Sequence, residues 1–177
     1  MARVVRAGSP PLAGLGTCVD CRRPHSLEVA QENGFARHRI VESFLAIRLS
    51  PQDFDDDGDT SEGTAGPIAT LHDRLYAVIQ SSARSVAGTS IIYADSFPYF
   101  FAERDGNGAV TEGEAAYPNC YQSWTPRLLQ AAYNYQFVAK DNAAYVQNPR
   151  YALQLLYDSL GNLSQQVEVD MSGRVRP

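Results

Sequence analysis

Lysine is nearly missing from this chain: Lys140 is the only one among 15 basic residues, the rest being arginine, and the sequence offers no functional account of that bias. Acidic residues outnumber basic ones by 20 to 15, leaving a net charge of −5 and a pI near 5.1. That balance disfavours nucleic acid, whose phosphates demand a basic face. The three histidines, His25, His38 and His72, fall in no pattern that positions a general base. With no Ser-His-Asp set, P-loop or metalloprotease helix beside them, the expectation is that the chain is not an enzyme. His38 and His72 read as surface or rim residues. No apolar run approaches the ~18 residues of a membrane helix, and the start Met1-Ala-Arg-Val-Val-Arg lacks a signal-peptide core. A mature form or a fragment of a longer reading frame would look the same.

What is present is oxygen. Glu103 to Glu114, E-R-D-G-N-G-A-V-T-E-G-E, spaces its donors as a twelve-residue calcium loop does. Glu103, Asp105 and Asn107 take the first, third and fifth places, Gly108 the turn, Ala109 the seventh carbonyl, Thr111 the ninth place and Glu114 the closing twelfth. Val110 is expected to point back into the core. Glu103 departs from the aspartate the pattern prefers, so its longer side chain must fold back to reach an ion. The competing reading is an ordinary Asp-Gly-Asn-Gly turn holding no ion.

A second cluster, Asp53 to Asp59, sets Asp53, Asp55, Asp57 and Gly58 in the first, third, fifth and sixth places. Its twelfth place falls on Thr64, so only Glu62, two residues early, or an acid from elsewhere could close the shell. Asp53, Asp55, Asp57, Asp59 and Glu62 are therefore candidate ligands, against the alternative of a solvated acidic loop.

A chain of 177 residues with 44 % hydrophobic and 20 % charged residues supports one globular domain. The fold class expected is mainly α: a small helical domain over residues 35–165 with short extended segments and one or two calcium-type loops. An irregular N-terminal arm precedes it over 1–34, and a tail follows over 166–177, expected to be mobile or docked on a neighbour. Ile40, Val41, Phe44, Leu45 and Leu49 mark a first helical stripe ending before Pro51. A second, with Pro67 in its first turn, buries Ile68, Leu71, Leu75, Val78, Ile79 and Val86 until Gly88 ends it.

Ser90 to Tyr93 and Phe97 to Phe101 read as extended segments leading into the calcium loop. Thr125-Pro126 and Asn148-Pro149 each place a capping side chain before a proline, so two helices should start there. The first should bury Leu128, Leu129, Ala132, Tyr135 and Val138, the second Ala152, Leu155, Leu156, Leu160 and Leu163. The connection Lys140 to Gln147 is short enough for antiparallel packing. Tyr133, Tyr135, Tyr145, Tyr151 and Tyr157 crowd this hairpin and read as core and rim packing.

Two phrases of this hairpin, Ser123-Trp-Thr-Pro-Arg-Leu-Leu-Gln-Ala-Ala-Tyr-Asn-Tyr-Gln-Phe-Val138 and Asn148-Pro-Arg-Tyr-Ala-Leu-Gln-Leu-Leu-Tyr-Asp-Ser-Leu160, resemble the C-terminal region of extracytoplasmic multihaem c-type cytochromes. The likeness runs from the Phe97 segment through Leu160 and takes in the Asp-Gly-Asn-Gly loop. In that family the region follows the haem-bearing part and carries no haem, so the resemblance implies a helical, metal-stapled cap on an electron-transfer protein.

The family attaches haem through C-x-x-C-H, and here the segment is Cys18-Val19-Asp20-Cys21-Arg22-Arg23-Pro24-His25. Arg22 stands where the iron-binding histidine belongs and offers no lone pair. Cys18, Cys21 and His25 leave four readings open: haem c ligated by a non-adjacent histidine, zinc with one further ligand, a disulfide, or an idle remnant. Cys120 is the odd thiol, expected to be buried or paired between chains if it lies outside the cell.

The leading expectation is a calcium-stabilised extracytoplasmic domain that packs on a cytochrome partner or on copies of itself in an electron-transfer assembly. The outside of the cell suits calcium loops of modest quality, because millimolar calcium fills weak sites there. The alternatives are a haem-binding cytochrome in its own right and a self-assembling subunit, a homo-oligomer or filament locked by its arm and tail.

Overall fold

The computed structural model describes residues 45–48 and 50–177. The arm over 1–34 and, apart from Leu45, the first helical stripe lie outside the described residues; Leu45 itself is exposed. The fold is mainly α. Helix α1 spans Ala65–Ser82 and runs into a π-helical turn, Ala83–Ala87. Strands β1, Ile91–Tyr93, and β2, Phe100–Ala102, follow, then a 3-10 turn at Tyr117–Asn119. Helices α2, Pro126–Lys140, α3, Ala144–Gln147, and α4, Pro149–Leu163, complete the order.

Three helices make the core, α1 packing on both α2 and α4 and those two on each other. The pair is antiparallel: Arg127 at the start of α2 donates to the Asn162 carbonyl near the end of α4 (3.0 Å), and Asn134 farther along donates to Ser159 (2.9 Å). Leu71, Leu75, Ile79, Leu128, Leu153, Leu156, Leu160 and Leu163 are fully buried. Each such side chain contributes roughly 1.5–3 kcal/mol by leaving water. The two strands pair antiparallel in the register Ile91↔Ala102, Ile92↔Phe101, Tyr93↔Phe100. Phe101 also bridges antiparallel to Cys120, which brings the chain back alongside β2.

The capping signals divide. The Thr125 hydroxyl accepts from the Leu128 amide at 3.2 Å, as a cap should. Asn148 makes no such bond, so Pro149, with its preset φ, is what starts α4. Gly88, at φ 74°, ends the first helix through the left-handed conformation expected of it. Val86, however, is 40 % exposed, because the π turn advances each residue by a smaller angle and rotates it off the buried stripe.

Two helix faces are also turned from expectation. Leu129 is 50 % exposed while Ala131 is buried, and Leu153 is buried where Leu155 is only half so. Leu153 and Leu155, either side of Gln154, offer α4 two neighbouring stripes, and packing against both α1 and α2 selects the one through Leu153.

The tail does not wait for a neighbour. Val167, Val169 and Met171 pack against the chain's own core, Arg74 on α1 donates to the Asp170 carbonyl (2.6 Å), and Arg176 pairs through two bonds of 2.8 Å with Asp158 on α4. The tyrosines behave as core and rim: Tyr135 is buried, Tyr133 and Tyr151 are exposed. Burial pushes the Tyr135 phenol above its ordinary range. His72 stacks flat on that ring at 3.9 Å, with burial lowering its imidazole.

Candidate metal centre

The β1–β2 hairpin delivers the loop. The Glu103 amide donates to the Ser90 carbonyl at 3.0 Å, one rung beyond the last strand pair, so the loop opens from a fixed rail. Gly106, Gly108 and Gly113 all have φ between 74° and 84°, a region where a side chain would be strained. The chain therefore curls through turns that only these glycines take comfortably.

Curling gathers the acids. Oxygens of Glu103, Asp105 and Glu114 lie within 4.8 Å of one another. Glu103 folds back over the loop, its Oε1 accepting from the amides of Gly106 and Asn107, so the longer side chain is accommodated in the first place. Asp105 accepts from Asn107 Nδ2 at 2.8 Å, and Asn107 Oδ1 accepts from the Ala109 amide at 2.7 Å. Glu114 is 5 % exposed and accepts three bonds: Thr111 Oγ1 (2.7 Å), the Arg104 amide (2.8 Å) and the Thr111 amide (3.0 Å). Those donors, the Thr111 hydroxyl first, hold its carboxyl below the usual carboxylate range.

Thr111 thus supports the closing acid through its own side chain. Val110 does not point into the core; at 44 % exposure it faces out from the loop.

Two residues outside the motif brace it. Gln80 on α1 donates to the Gly108 carbonyl at 3.0 Å, tying the loop to the core helix. Buried Asn119 donates through one amide nitrogen to the carbonyls of Ala102 (2.7 Å) and Glu114 (2.9 Å), pinning the two ends of the loop together. Neither was signalled by spacing, because both act on backbone carbonyls that any residue supplies.

The second cluster closes differently. Asp53, Asp55 and Asp57 also bring oxygens within 4.8 Å of one another, on a turn with Asp56 at φ 63° and Gly58 at φ 89°. Asp59 is not part of that trio; its Oδ1 accepts from the amide and hydroxyl of Ser61. Glu62 also stands outside it, its carboxylate tucked over Gly66 in the first turn of α1. Burial, then repulsion from Asp55, Asp57, Asp59 and Asp53, pushes the Glu62 carboxyl up to about 7. Asp55 is raised as well, chiefly by burial.

Cys18, Cys21 and His25 lie outside the described residues, as does His38. Cys120 is partly exposed and forms no disulfide among the described residues. No helix among them is long and apolar enough to cross a membrane.

No family model matches the chain, and no solved structure does. Two named relatives do. The chain is 25 % identical over 101 residues, 52 % of its length, to the C-type polyheme cytochrome OmcC of Geobacter sulfurreducens. It is 23 % identical over 105 residues, 55 % of its length, to the C-type polyheme cytochrome OmcB of the same species. It spans only 13 % and 14 % of those two proteins. Over about half its length, this chain is thus distantly similar to a small part of polyhaem c-type cytochromes.

Proposed function

We propose that this chain is a calcium-stabilised, non-enzymatic module that works outside the cytoplasm in an electron-transfer assembly of multihaem cytochromes. The observation that carries the calcium reading is the convergence of Glu103, Asp105 and Glu114 on one loop, in the register of a twelve-residue calcium site. All three ligands are oxygens, which suits a hard cation and gives zinc or copper none of the nitrogen or sulfur they favour. The electron-transfer setting rests on the distant similarity to polyhaem cytochromes. In this reading the ion ties the hairpin to the turn that leads into α2, holding a rigid helical surface for a cytochrome partner or another copy of the chain.

The test is thermal unfolding of the metal-stripped protein with and without added calcium. An ion bound only by the native state must stabilise it, by about 2.7 kcal/mol when free calcium is a hundred times the dissociation constant. Glu103→Gln should remove the part of that gain that this loop supplies. An unchanged midpoint on adding millimolar calcium would overturn the reading.

A further inference from the structure

We infer that the Asp53–Asp57 turn is a second divalent-cation site, separate from the Glu103–Glu114 loop and built into the core. Two independent observations meet there. Oxygens of Asp53, Asp55 and Asp57 lie within 4.8 Å of one another, and Asp55, only 2 % exposed, has both of its oxygens buried without a hydrogen-bond partner. A buried carboxylate is ordinarily paired or hydrogen-bonded. Here its neighbours are two more carboxylates and the Thr70 side chain, which makes no hydrogen bond of ordinary geometry with it, and a cation at the focus of the carboxylates is the partner that this arrangement calls for.

The rest of the turn is organised around that focus. Asp53 is fixed by the amides of Asp56 (2.6 Å) and Gly58 (2.9 Å), and Asp57 by the amide of Asp59 (2.7 Å). Each bond leaves its carboxylate with lone pairs to spare for an ion. Phe54, between two of the ligands, is buried in the hydrophobic core, so the ligands cannot drift from the helices.

Asp57 is exposed, which leaves one side of the ion for water, as a loop without a closing acid requires. Three oxygen donors on an irregular, partly open turn suit calcium better than magnesium, which demands a near-ideal octahedron. The site ties together the segment ahead of α1 and the C-terminal tail, since Gly173 packs directly against the Asp56 carboxylate.

This site does not depend on the loop invoked above, and the experiment separates them. Calcium is titrated calorimetrically into the chelator-stripped full chain and into Asp55→Asn, Asp57→Asn and Glu114→Gln. Asp55→Asn and Asp57→Asn should each lose one calcium equivalent that Glu114→Gln retains. Thermal unfolding adds a sign test: without calcium Asp55→Asn should melt higher than the parent, because an unpaired buried charge is gone, and with calcium it should gain less.

Asp57→Asn, exposed and outside the core, secures the result should Asp55→Asn fold poorly. Magnesium in place of calcium should bind more weakly by about tenfold or more. The proposal is overturned if Asp57→Asn binds as many calcium equivalents as the parent, or if Asp55→Asn is destabilised equally with and without calcium.

Discussion

The two acidic turns share a ligand spacing and differ in how their carboxylates are satisfied. In the Glu103–Glu114 loop the closing acid receives three hydrogen bonds and lies below the carboxylate range. In the Asp53–Asp57 turn the buried acid receives none, and the nearby Glu62 is pushed up to about 7. The first loop is thus shaped by its own amides, with glycines at the turns and Asn119 and Gln80 as braces. The second stores electrostatic repulsion that a proton or a cation relieves. Similar spacing in sequence therefore gives one pre-organised loop and one turn whose stability depends on what neutralises it.

The strongest way to break this contrast is Glu114→Gln. Its side chain closes the first loop and orients Thr111 and Arg104, so the variant loses a ligand and places an amide where donors converge. Removing even an outer partner of a metal ligand costs about 10–100-fold in affinity, and losing the ligand should exceed that. Isothermal titration with calcium reads it. Wild-type affinity in this variant would mean that the loop holds no ion.

Next in size is the pH response of the chelated protein. Glu62 has a folded value of about 7 against an ordinary 4.5, so between those values the folded chain keeps a proton the unfolded chain has released. Its contribution to stability is complete below about 4.5 and is lost as pH rises through about 7. Asp55, raised by burial, acts in the same direction. Without calcium the unfolding midpoint should therefore fall across this window, and Glu62→Gln should flatten the fall. A midpoint that rises between pH 5 and pH 7.5 would show that the second turn is not under the strain described.

Asn119→Ala sharpens the other side. It leaves the Ala102 and Glu114 carbonyls without their donor in a buried place, at a cost of about 1–3 kcal/mol. Because Asn119 positions the loop and touches no ligand oxygen, calcium affinity should fall in parallel with stability. Denaturant unfolding and calcium titration on the same variant check this. A loss of stability with calcium affinity intact would make Asn119 a core residue only.

Much of this architecture was legible in the chain. The Thr125-Pro126 start and the Gly88 stop are local signals that local hydrogen bonding honours, and the spacing from Glu103 to Glu114 does bring three of its acids together. What escaped was decided at longer range. Asn119 acts through backbone carbonyls, which carry no residue signature. The choice between Leu153 and Leu155 depends on how α1 and α2 sit, and Val86 on a π turn that no spacing announces. The tail did carry a mark, since Val167, Val169 and Met171 alternate with polar residues as a half-buried extended segment does. A search for helical stripes alone passes over that period of two.

The smallest effect expected joins the second turn to that tail. Gly173 has φ 75°, and a Cβ added there would come within 2.4 Å of the Asp56 carboxylate. Gly173→Ala must take up a left-handed conformation costing roughly 1–2 kcal/mol and push the Asp56 side chain aside. Asp56 can swing into solvent, being exposed, so the helical core should remain intact. The change should be local: faster amide hydrogen exchange over residues 167–177 and weaker calcium binding at the second turn, with the Glu103–Glu114 loop unaffected. If exchange in the tail rises while both calcium equivalents keep their affinity, the tail covers the turn without contributing to it, and the two acidic loops differ only in their own carboxylates.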